Sequence, residues 1–269
     1  MTALNLDSAR NLIRAVRRYQ HVHQRHVQFI FASSQESMGP SSSSLVHRES
    51  ANEESPCHPT YLYGQNKRDV ELMLLNQSSV ASSSSSSETT SSTTCSKLDH
   101  VEYTILRVCG VTGRGDRYAA FEMIQAVSRG LLLCYPGPCH GMCSFVHVSD
   151  VISAIVLCLN RVPQCRNQVL IIGPDSSVTF RQCIDAICDQ LGYRRPLFTM
   201  PAPIFKTIVS WSYPLYNMVR NSVDRTSDQR HSASFLFHPD TVDNLSEDRW
   251  YSSEKAKRLL GYRPMGTEQ

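Results

Sequence analysis

The 269-residue sequence predicts an α/β protein built around a parallel β-sheet. Short, mostly apolar runs at residues 27–32, 103–108 and 169–173 have the composition of strands buried on both faces. Segments with apolar residues at helical spacing alternate with these runs along the chain. Because 41% of the residues are hydrophobic, a chain of this length can bury a substantial core. Alternating strands and helices are typical of an α/β sandwich with parallel strands.

Local signals place the helices between the strands. Leu12, Ile13 and Val16 recur at helical spacing and predict a helix before the first strand. Thr179 is a favourable helix N-cap, and Gly192 stands where glycine most often ends a helix. The predicted helices cover residues 7–19, 61–75, 118–129, 150–159 and 180–191, and residues 144–148 are predicted to form another strand.

Residues 76–97 interrupt this pattern. They have no apolar periodicity, and they include an unbroken run of serines from Ser82 to Ser87. Such a segment contains too few apolar groups to offset the entropy lost on ordering. We therefore predict a disordered surface insertion between the helix at residues 61–75 and the strand at residues 103–108.

The composition argues against several functional classes. The net charge is +3 and the basic residues are scattered, unlike the concentrated basic surface of a nucleic-acid-binding protein. The N-terminal residues lack the apolar core of a signal peptide, and the most apolar late stretch, residues 203–219, contains Lys206 and Pro214. We therefore expect a cytoplasmic protein with no transmembrane segment and no nucleic-acid partner.

The ten cysteines form no pattern typical of a metal site or a disulfide framework. None belongs to a CxxC pair, and without a secretory signal an even number of cysteines does not imply disulfide bonds. Two groups of metal-binding side chains lack the paired spacing of a structural zinc site. These groups are Cys139, His140 and Cys143, and His21, His23 and His26. We expect reduced cysteines and no bound metal.

Tyr63 and Lys67 stand four positions apart in the predicted helix at residues 61–75, so they share one helix face. An ammonium beside a phenol favours the phenolate, and the tyrosine can then exchange a proton with a substrate hydroxyl while a nicotinamide takes or gives a hydride. Ser34 ends the preceding strand, at the edge where open α/β sheets bind ligands. The YxxxK spacing also occurs by chance, as an exposed tyrosine beside a solvated lysine.

Several further segments follow one another along the chain. The combination of these segments is specific, whereas any one of them alone is not. They are residues 5–12, residues 29–34 with Gly39, residues 105–116, residues 144–151 and residues 252–264. From Asn5 to Pro264, the sequence resembles the extended short-chain dehydrogenase/reductase superfamily. This superfamily holds NAD-dependent epimerases and dehydratases and the 3β-hydroxysteroid dehydrogenases.

The resemblance implies an NAD(P)-dependent oxidoreductase with a small-molecule substrate. It implies that Ser34, Tyr63 and Lys67 are catalytic, with the spacing to Gly39 selecting Ser34 over Ser33. It also implies that Tyr63, Lys67 and Val108 contact NAD or NADP, although Val108 replaces the usual proline of that segment. Residues 5–12 resemble the helix that carries the family's active-site asparagine.

The family opens with a strand, a GxxGxxG turn and a helix, whose backbone amides hold the pyrophosphate. Here no glycine precedes Gly39, so the resemblance implies that the N-terminal strands and the phosphate loop are missing. We expect a partial Rossmann-type parallel sheet in residues 1–170 and a smaller substrate-binding subdomain mainly in residues 171–269. The isolated chain is then expected to be inactive, and the open edge of the strand at residues 27–32 is compatible with a homodimer.

The substrate class rests on fewer residues. Nucleotide-sugar enzymes of this kind usually carry one arginine where Cys143 stands and a second near residues 240–244, where this chain has none. Residues 237–242 and 249–256 look more like sterol-type dehydrogenases, and the apolar residues 201–219 line either a lipid-like pocket or an ordinary core. We expect a hydroxysteroid or another hydrophobic alcohol. A nucleotide-sugar epimerase or dehydratase is the alternative, and a non-catalytic relic or binding scaffold is the second alternative.

Overall fold

The structure is a computed structural model that describes residues 2–41, 49–77, 97–117, 119–223 and 245–265. Within these ranges, the helices are α1 (Thr2–His23), α2 (Leu62–Leu75), α3 (Ala119–Ser128), α4 (Val148–Asn160), α5 (Val162–Cys165), α6 (Phe180–Leu191), α7 (Ala202–Val223) and α8 (Glu254–Leu260). The strands are β1 (Gln28–Ser34), β2 (Glu102–Val108), β3 (Gly110–Thr112), β4 (Cys134–Pro136), β5 (Met142–Cys143), β6 (Phe145–His147), β7 (Gln168–Ile172), β8 (Val178–Thr179) and β9 (Phe198–Met200). The helices and strands predicted from the sequence are confirmed, with ends that differ by a few residues.

The central sheet is parallel and has the strand order β1-β2-β7, which confirms the predicted fold class. The register pairs Ser34 with Val108, so the carboxyl ends of β1 and β2 lie side by side. Among the described strands, none pairs with the outer edge of β1. The homodimer expected from an open edge stays a prediction.

Helices cover both faces of this sheet. Neighbouring side chains of β2 point to opposite faces, so they pack against different helices. Ile105 packs with Ile13 of α1 and Leu74 of α2 on one face. Leu106 packs on the other face with residues of α4 and α8, including Ala154 and Leu260. Helix α2, which carries Tyr63 and Lys67, is therefore held against β1 and β2 by apolar burial.

A second apolar cluster joins α3 and α6, through Met123 and Ile184 among others. The C-terminal segment returns to the first core, where Tyr251 and Tyr262 are buried. The predicted boundary near residue 170 stays a prediction. Residues 78–96, which make up most of the predicted insertion, lie outside the described residues, as do residues 237–242 and 240–244, used above for the substrate argument.

Both ends of α6 have the predicted caps. The N-cap hydroxyl of Thr179 accepts from the backbone N–H of Gln182, and the Gln182 side chain accepts from the backbone N–H of Thr179. Gly192 ends the helix at φ 69°, a left-handed conformation that glycine adopts without a steric penalty.

Helix α7 covers most of the apolar residues 201–219 and has both buried and exposed apolar side chains, with Val209 buried. Ile204, Ile208 and Trp211 recur on one side of the helix and are 53%, 51% and 84% exposed. These three side chains therefore line no enclosed lipid-like pocket within the described part of the chain, and they are not core. Over the same described ranges, no helix has both the length and the apolar character needed to cross a bilayer.

Candidate active site

Tyr63 and Lys67 lie one turn apart on α2, at the carboxyl end of the sheet. The Lys67 ammonium donates to the carbonyl oxygen of Ala32 on β1 at 2.8 Å and lies 5.7 Å from the centre of the Tyr63 ring. It also lies 5.1 Å from the centre of the Phe31 ring. Burial lowers the pKa of Lys67, and the nearby Glu71 carboxylate opposes that shift. Tyr63 is 53% exposed, so its phenol is accessible to a small molecule.

The structure distinguishes the two serines at the end of β1. The Ser33 side chain is buried, and its hydroxyl donates to Glu71 Oε1 at 2.6 Å. Ser34 is partly exposed, and its Oγ accepts from the backbone N–H of Glu36 at 3.2 Å, which starts the 3-10 turn Gln35–Ser37. A buried hydroxyl committed to a carboxylate is poorly placed to bind a substrate, and the catalytic role of Ser34 stays a prediction.

Close packing holds α2 against the turn that follows Ser34. A Cβ atom added to Gly64 would overlap the carbonyl oxygen of Glu36, so only glycine allows the helix to approach this closely. Gly39 has φ +77°, and a Cβ atom there would overlap the carbonyl oxygen of His58. These two glycines place the turn after Ser34 directly beside the start of the helix that carries Tyr63.

A buried carboxylate, Glu71, ties the surrounding elements together. Glu71 is 0% exposed and accepts hydrogen bonds from Arg107 Nη2 at 2.8 Å and from Arg68 Nη1 at 2.9 Å. Ser33 and Ser37 donate to the same carboxylate at 2.6 and 2.8 Å. Together these contacts join β1, the turn after it, α2 and β2.

The same contacts determine how Glu71 titrates. Burial alone raises the pKa of Glu71, but the hydrogen bonds and charge of Arg107 and the two serine hydroxyls outweigh burial. The folded-state pKa therefore lies below the ordinary carboxyl value of 4.5. A carboxylate of this kind stabilises the fold above its unfolded-state pKa and loses that contribution as the pH falls through its folded-state pKa.

We therefore expect the free energy of unfolding to fall as the pH drops below about 4.5, in part because Glu71 must be protonated. Urea unfolding followed by circular dichroism at a series of pH values measures this. The matched variant Glu71→Gln has no carboxylate to protonate and should lose less stability over that window. Equal losses in the two proteins would contradict the role assigned to Glu71.

Arg249 is a residue near the site that sequence reasoning did not identify. It is 7% exposed, and its guanidinium lies 3.4 Å from Glu36 Oε1 and 3.2 Å from Glu247 Oε2. The guanidinium also lies 5.9 Å from the centre of the Tyr61 ring. Burial alone lowers the pKa of Arg249, but Glu36 and the other nearby acidic groups raise it overall. Arg249 therefore joins the C-terminal segment to residues that flank Ser34 and Tyr63.

The remaining expected site features are placed as follows. Val108 pairs with Ser34 in the sheet and is 8% exposed, so it belongs mainly to the core beneath the site. Asn5 lies within α1, and its side chain is outside the described residues. In the described parts of the chain, no three His, Cys, Asp or Glu side chains are grouped in a way that would hold a metal ion.

Comparison with known proteins gives a consistent family assignment. The model of the NAD dependent epimerase/dehydratase family matches residues 1–173. UDP-glucose 4-epimerase of Vibrio cholerae is 24% identical over 174 residues, which make up 65% of this chain and 45% of that protein. The chain thus spans less than half the length of this curated relative.

Solved structures share the fold. UDP-glucose 4-epimerase of Thermotoga maritima with UDP-glucose has a TM-score of 0.61 and 20% identity, covering 98% of this chain and 65% of that one. The dTDP-glucose 4,6-dehydratase of Bacillus anthracis in complex with NAD has a TM-score of 0.63 and 16% identity, covering 99% and 64%. UDP-glucuronic acid 4-epimerase of Bacillus cereus in complex with UDP-glucuronic acid and NAD has a TM-score of 0.62 and 17% identity, covering 98% and 63%.

Proposed function

The chain belongs to the NAD dependent epimerase/dehydratase family, and we propose that it carries the catalytic residues of an NAD-dependent oxidoreductase acting on a secondary alcohol of a nucleotide sugar. The observation that carries this proposal is the position of the Lys67 ammonium. It binds the Ala32 carbonyl, two residues before Ser34, and lies one helical turn from Tyr63. A hydroxyl, a phenol and an ammonium at one sheet edge suit proton transfer at a substrate oxygen.

In the proposed mechanism, the Tyr63 phenol exchanges a proton with the substrate hydroxyl as that carbon is oxidised or reduced. The Ser34 hydroxyl donates a hydrogen bond to the same oxygen and orients it. The Lys67 ammonium favours the phenolate form of Tyr63 as the proton moves. The nicotinamide, when it is bound, supplies the chemistry of accepting and returning a hydride.

The described residues fit the nicotinamide end of this cofactor. Lys67 is only partly buried and has three donors, of which the Ala32 carbonyl takes one, so donors remain for ribose hydroxyls. The 269 residues contain no GxxGxxG sequence for the pyrophosphate, so the fit concerns this end alone.

The choice of a nucleotide sugar follows from the relatives. The curated relative is a UDP-glucose 4-epimerase, and structures that share the fold contain UDP-glucose or UDP-glucuronic acid. This supports the alternative expectation from the sequence more than the hydroxysteroid. A hydrophobic alcohol is the second candidate, because both positions at which the resemblance leads us to expect a phosphate-binding arginine, Cys143 and residues 240–244, lack one.

We expect this 269-residue chain to bind NAD weakly or not at all in isothermal titration calorimetry. The physical reason is that Lys67 lies at the proposed nicotinamide end of the dinucleotide, and the sequence contains no GxxGxxG turn whose amides could bind the pyrophosphate. Micromolar binding would show that another part of the chain holds the phosphates and would contradict this expectation.

The substrate proposal is tested with a fusion in which a strand–GxxGxxG–helix unit precedes Met1. NAD reduction and product formation are followed by absorbance and mass spectrometry against UDP-glucose, UDP-glucuronic acid, dTDP-glucose and a panel of 3-hydroxysteroids. Turnover of a nucleotide sugar is the expected result. Activity confined to hydroxysteroids would contradict the choice of a nucleotide sugar, but it would still be consistent with the proposed catalytic residues.

A further inference from the structure

Two cysteine side chains meet at the edge of the second apolar cluster. Cys143 ends β5, and Cys183 lies in the first turn of α6. Their sulfur atoms are 3.6 Å apart although the residues are 40 positions apart in sequence. A disulfide needs a sulfur–sulfur distance of about 2.05 Å, so these two sulfur atoms lie close enough to be candidates for such a bond.

The two thiols have different surroundings. Cys143 is 3% exposed, and its sulfur donates to the Val178 carbonyl oxygen at 3.2 Å. Cys183 is partly exposed and lies at the N-terminal end of α6, where the helix dipole favours a thiolate. The contact with the Cys143 side chain lowers the pKa of Cys183, although burial opposes the shift. The same contact raises the pKa of Cys143, and burial adds to that shift.

We propose that Cys143 and Cys183 form a site of reversible oxidation that closes to a disulfide when the protein meets a hydroperoxide. Cys183 is the attacking group because it is the more exposed of the two and lies at the helix N-terminus. Cys143 is the resolving group because it is already in contact with Cys183 and is shielded from solvent.

The chemistry proceeds in two balanced steps. The Cys183 thiolate attacks one oxygen of hydrogen peroxide, so that an S–O bond forms, the O–O bond breaks and hydroxide leaves and takes up a proton to become water. Sulfur is oxidised by two electrons and peroxide is reduced. The Cys143 sulfur then attacks the Cys183 sulfenic acid, the S–O bond breaks, and a second water carries away the oxygen and the Cys143 proton.

Three other cysteines of the described chain are less suited to this reaction because they are more deeply buried than Cys183. Cys158 and Cys165 are near each other, but both are 0% exposed, so peroxide does not reach them in the folded protein. Cys188 lies on the same helix as Cys183 and is 1% exposed, which makes it the matched control. Cys95 lies outside the described residues, so every protein tested carries Cys95→Ser, and the chain with this change alone is the reference called wild-type below.

The closed disulfide joins β5 to α6. The backbone of Cys143 also forms an isolated parallel β-bridge with the backbone of Arg249. The Arg249 guanidinium lies 3.4 Å from Glu36, which is near Ser34 in the sequence. The disulfide would therefore restrain β5, which contacts Arg249 next to the proposed active site. The oxidation itself does not depend on the proposed function, because it needs only the two thiols and peroxide.

The test uses the full chain, treated with equimolar hydrogen peroxide, alkylated with N-ethylmaleimide, digested and analysed by mass spectrometry. We expect one dominant cross-linked peptide pair, Cys143 with Cys183, which dithiothreitol removes. Cys183→Ser should reduce the pair to background, and Cys143→Ser should leave a Cys183 sulfenic acid that dimedone traps. Cys188→Ser should form the pair at the wild-type yield.

Two controls separate proximity in the fold from random oxidation. Circular dichroism checks that each variant is folded, and Cys143→Ala replaces Cys143→Ser if the serine variant is not. Wild-type protein oxidised in guanidinium chloride should lose the preference for this one pair. The proposal is overturned if the folded wild-type chain keeps both thiols alkylated, links either of them mainly to another cysteine, or forms the pair equally well when it is unfolded.

Discussion

Replacing Tyr63 with phenylalanine in the fusion that carries a dinucleotide-binding unit is expected to lower turnover by roughly 10²–10⁴-fold, the usual contribution of a positioned proton donor or acceptor. The phenol proton is needed only when the substrate C–O bond changes order, so the loss falls on kcat. NAD affinity should change little, because the ring and the Lys67 ammonium remain. Steady-state kinetics with nicotinamide absorbance, together with calorimetry for NAD, measure both quantities.

One matched control and two further site variants accompany Tyr63→Phe. Tyr19→Phe removes a phenol from an exposed position on α1 and should leave turnover unchanged. Ser34→Ala removes one hydrogen bond to the substrate oxygen and should cost roughly 10²–10³-fold, as lost oxyanion donors do. Lys67→Ala should reduce both turnover and NAD affinity. A Tyr63→Phe fusion with the same turnover rate as the unsubstituted fusion would contradict the proposed mechanism.

The second large effect concerns the stability of the chain. We expect Glu71→Gln to lower the free energy of unfolding by about 3–5 kcal/mol at neutral pH, the usual result of removing one partner of a buried ion pair. The reason is that Arg107, 2% exposed, keeps its charge but loses the carboxylate that compensates it. Urea unfolding followed by circular dichroism measures the change.

An exposed ion pair of the same chain provides the control. Asp7 binds Arg10 at 2.7 Å at the surface, so Asp7→Asn should change the free energy of unfolding by no more than about 1 kcal/mol. A double variant, Glu71→Leu with Arg107→Leu, should lose less than the sum of the single changes, since neither charge is left unpaired. A Glu71→Gln protein as stable as Asp7→Asn would show that this network does not hold the site together.

The parts of the fold that the sequence predicted are those encoded locally. The apolar runs of β1, β2 and β7 are recognisable because a strand covered on both faces needs apolar residues throughout. The ends of α6 are recognisable because Thr179 and Gly192 act through their own backbone and that of near neighbours. The proximity of Tyr63 and Lys67 follows from the helical repeat alone.

The contacts around the site were harder to predict because their partners are distant in sequence. Glu71 continues the spacing of Tyr63 and Lys67 on α2, and Arg107 is a charged residue inside an otherwise apolar strand. A charge in a buried strand requires a partner, so these two signals together would have suggested the pair. Arg249 gave no comparable signal, since its contact with Glu36 depends on how the C-terminal segment returns to the sheet.

The substrate was the least predictable feature. Neither Cys143 nor residues 240–244 supply the arginines expected for a nucleotide sugar, and this favoured a substrate without phosphate. The structure places Cys143 at 3% exposure, in contact with Cys183, so this position has packing partners of its own. A single position with such neighbours is weak evidence about ligands bound elsewhere, and the nucleotide sugar stays a proposal.

The central claim is that Ser34, Tyr63 and Lys67 serve a hydride transfer at a substrate carbon, and one measurement tests it most directly. The fusion is mixed with NAD and its substrate labelled with deuterium at the hydroxyl-bearing carbon, in a single turnover followed by nicotinamide absorbance. We expect reduced nicotinamide to form, more slowly with the deuterated substrate, and the same signal to be absent in Tyr63→Phe. Product that forms with its deuterium lost to solvent, and with no reduced nicotinamide at any time, would contradict the claim.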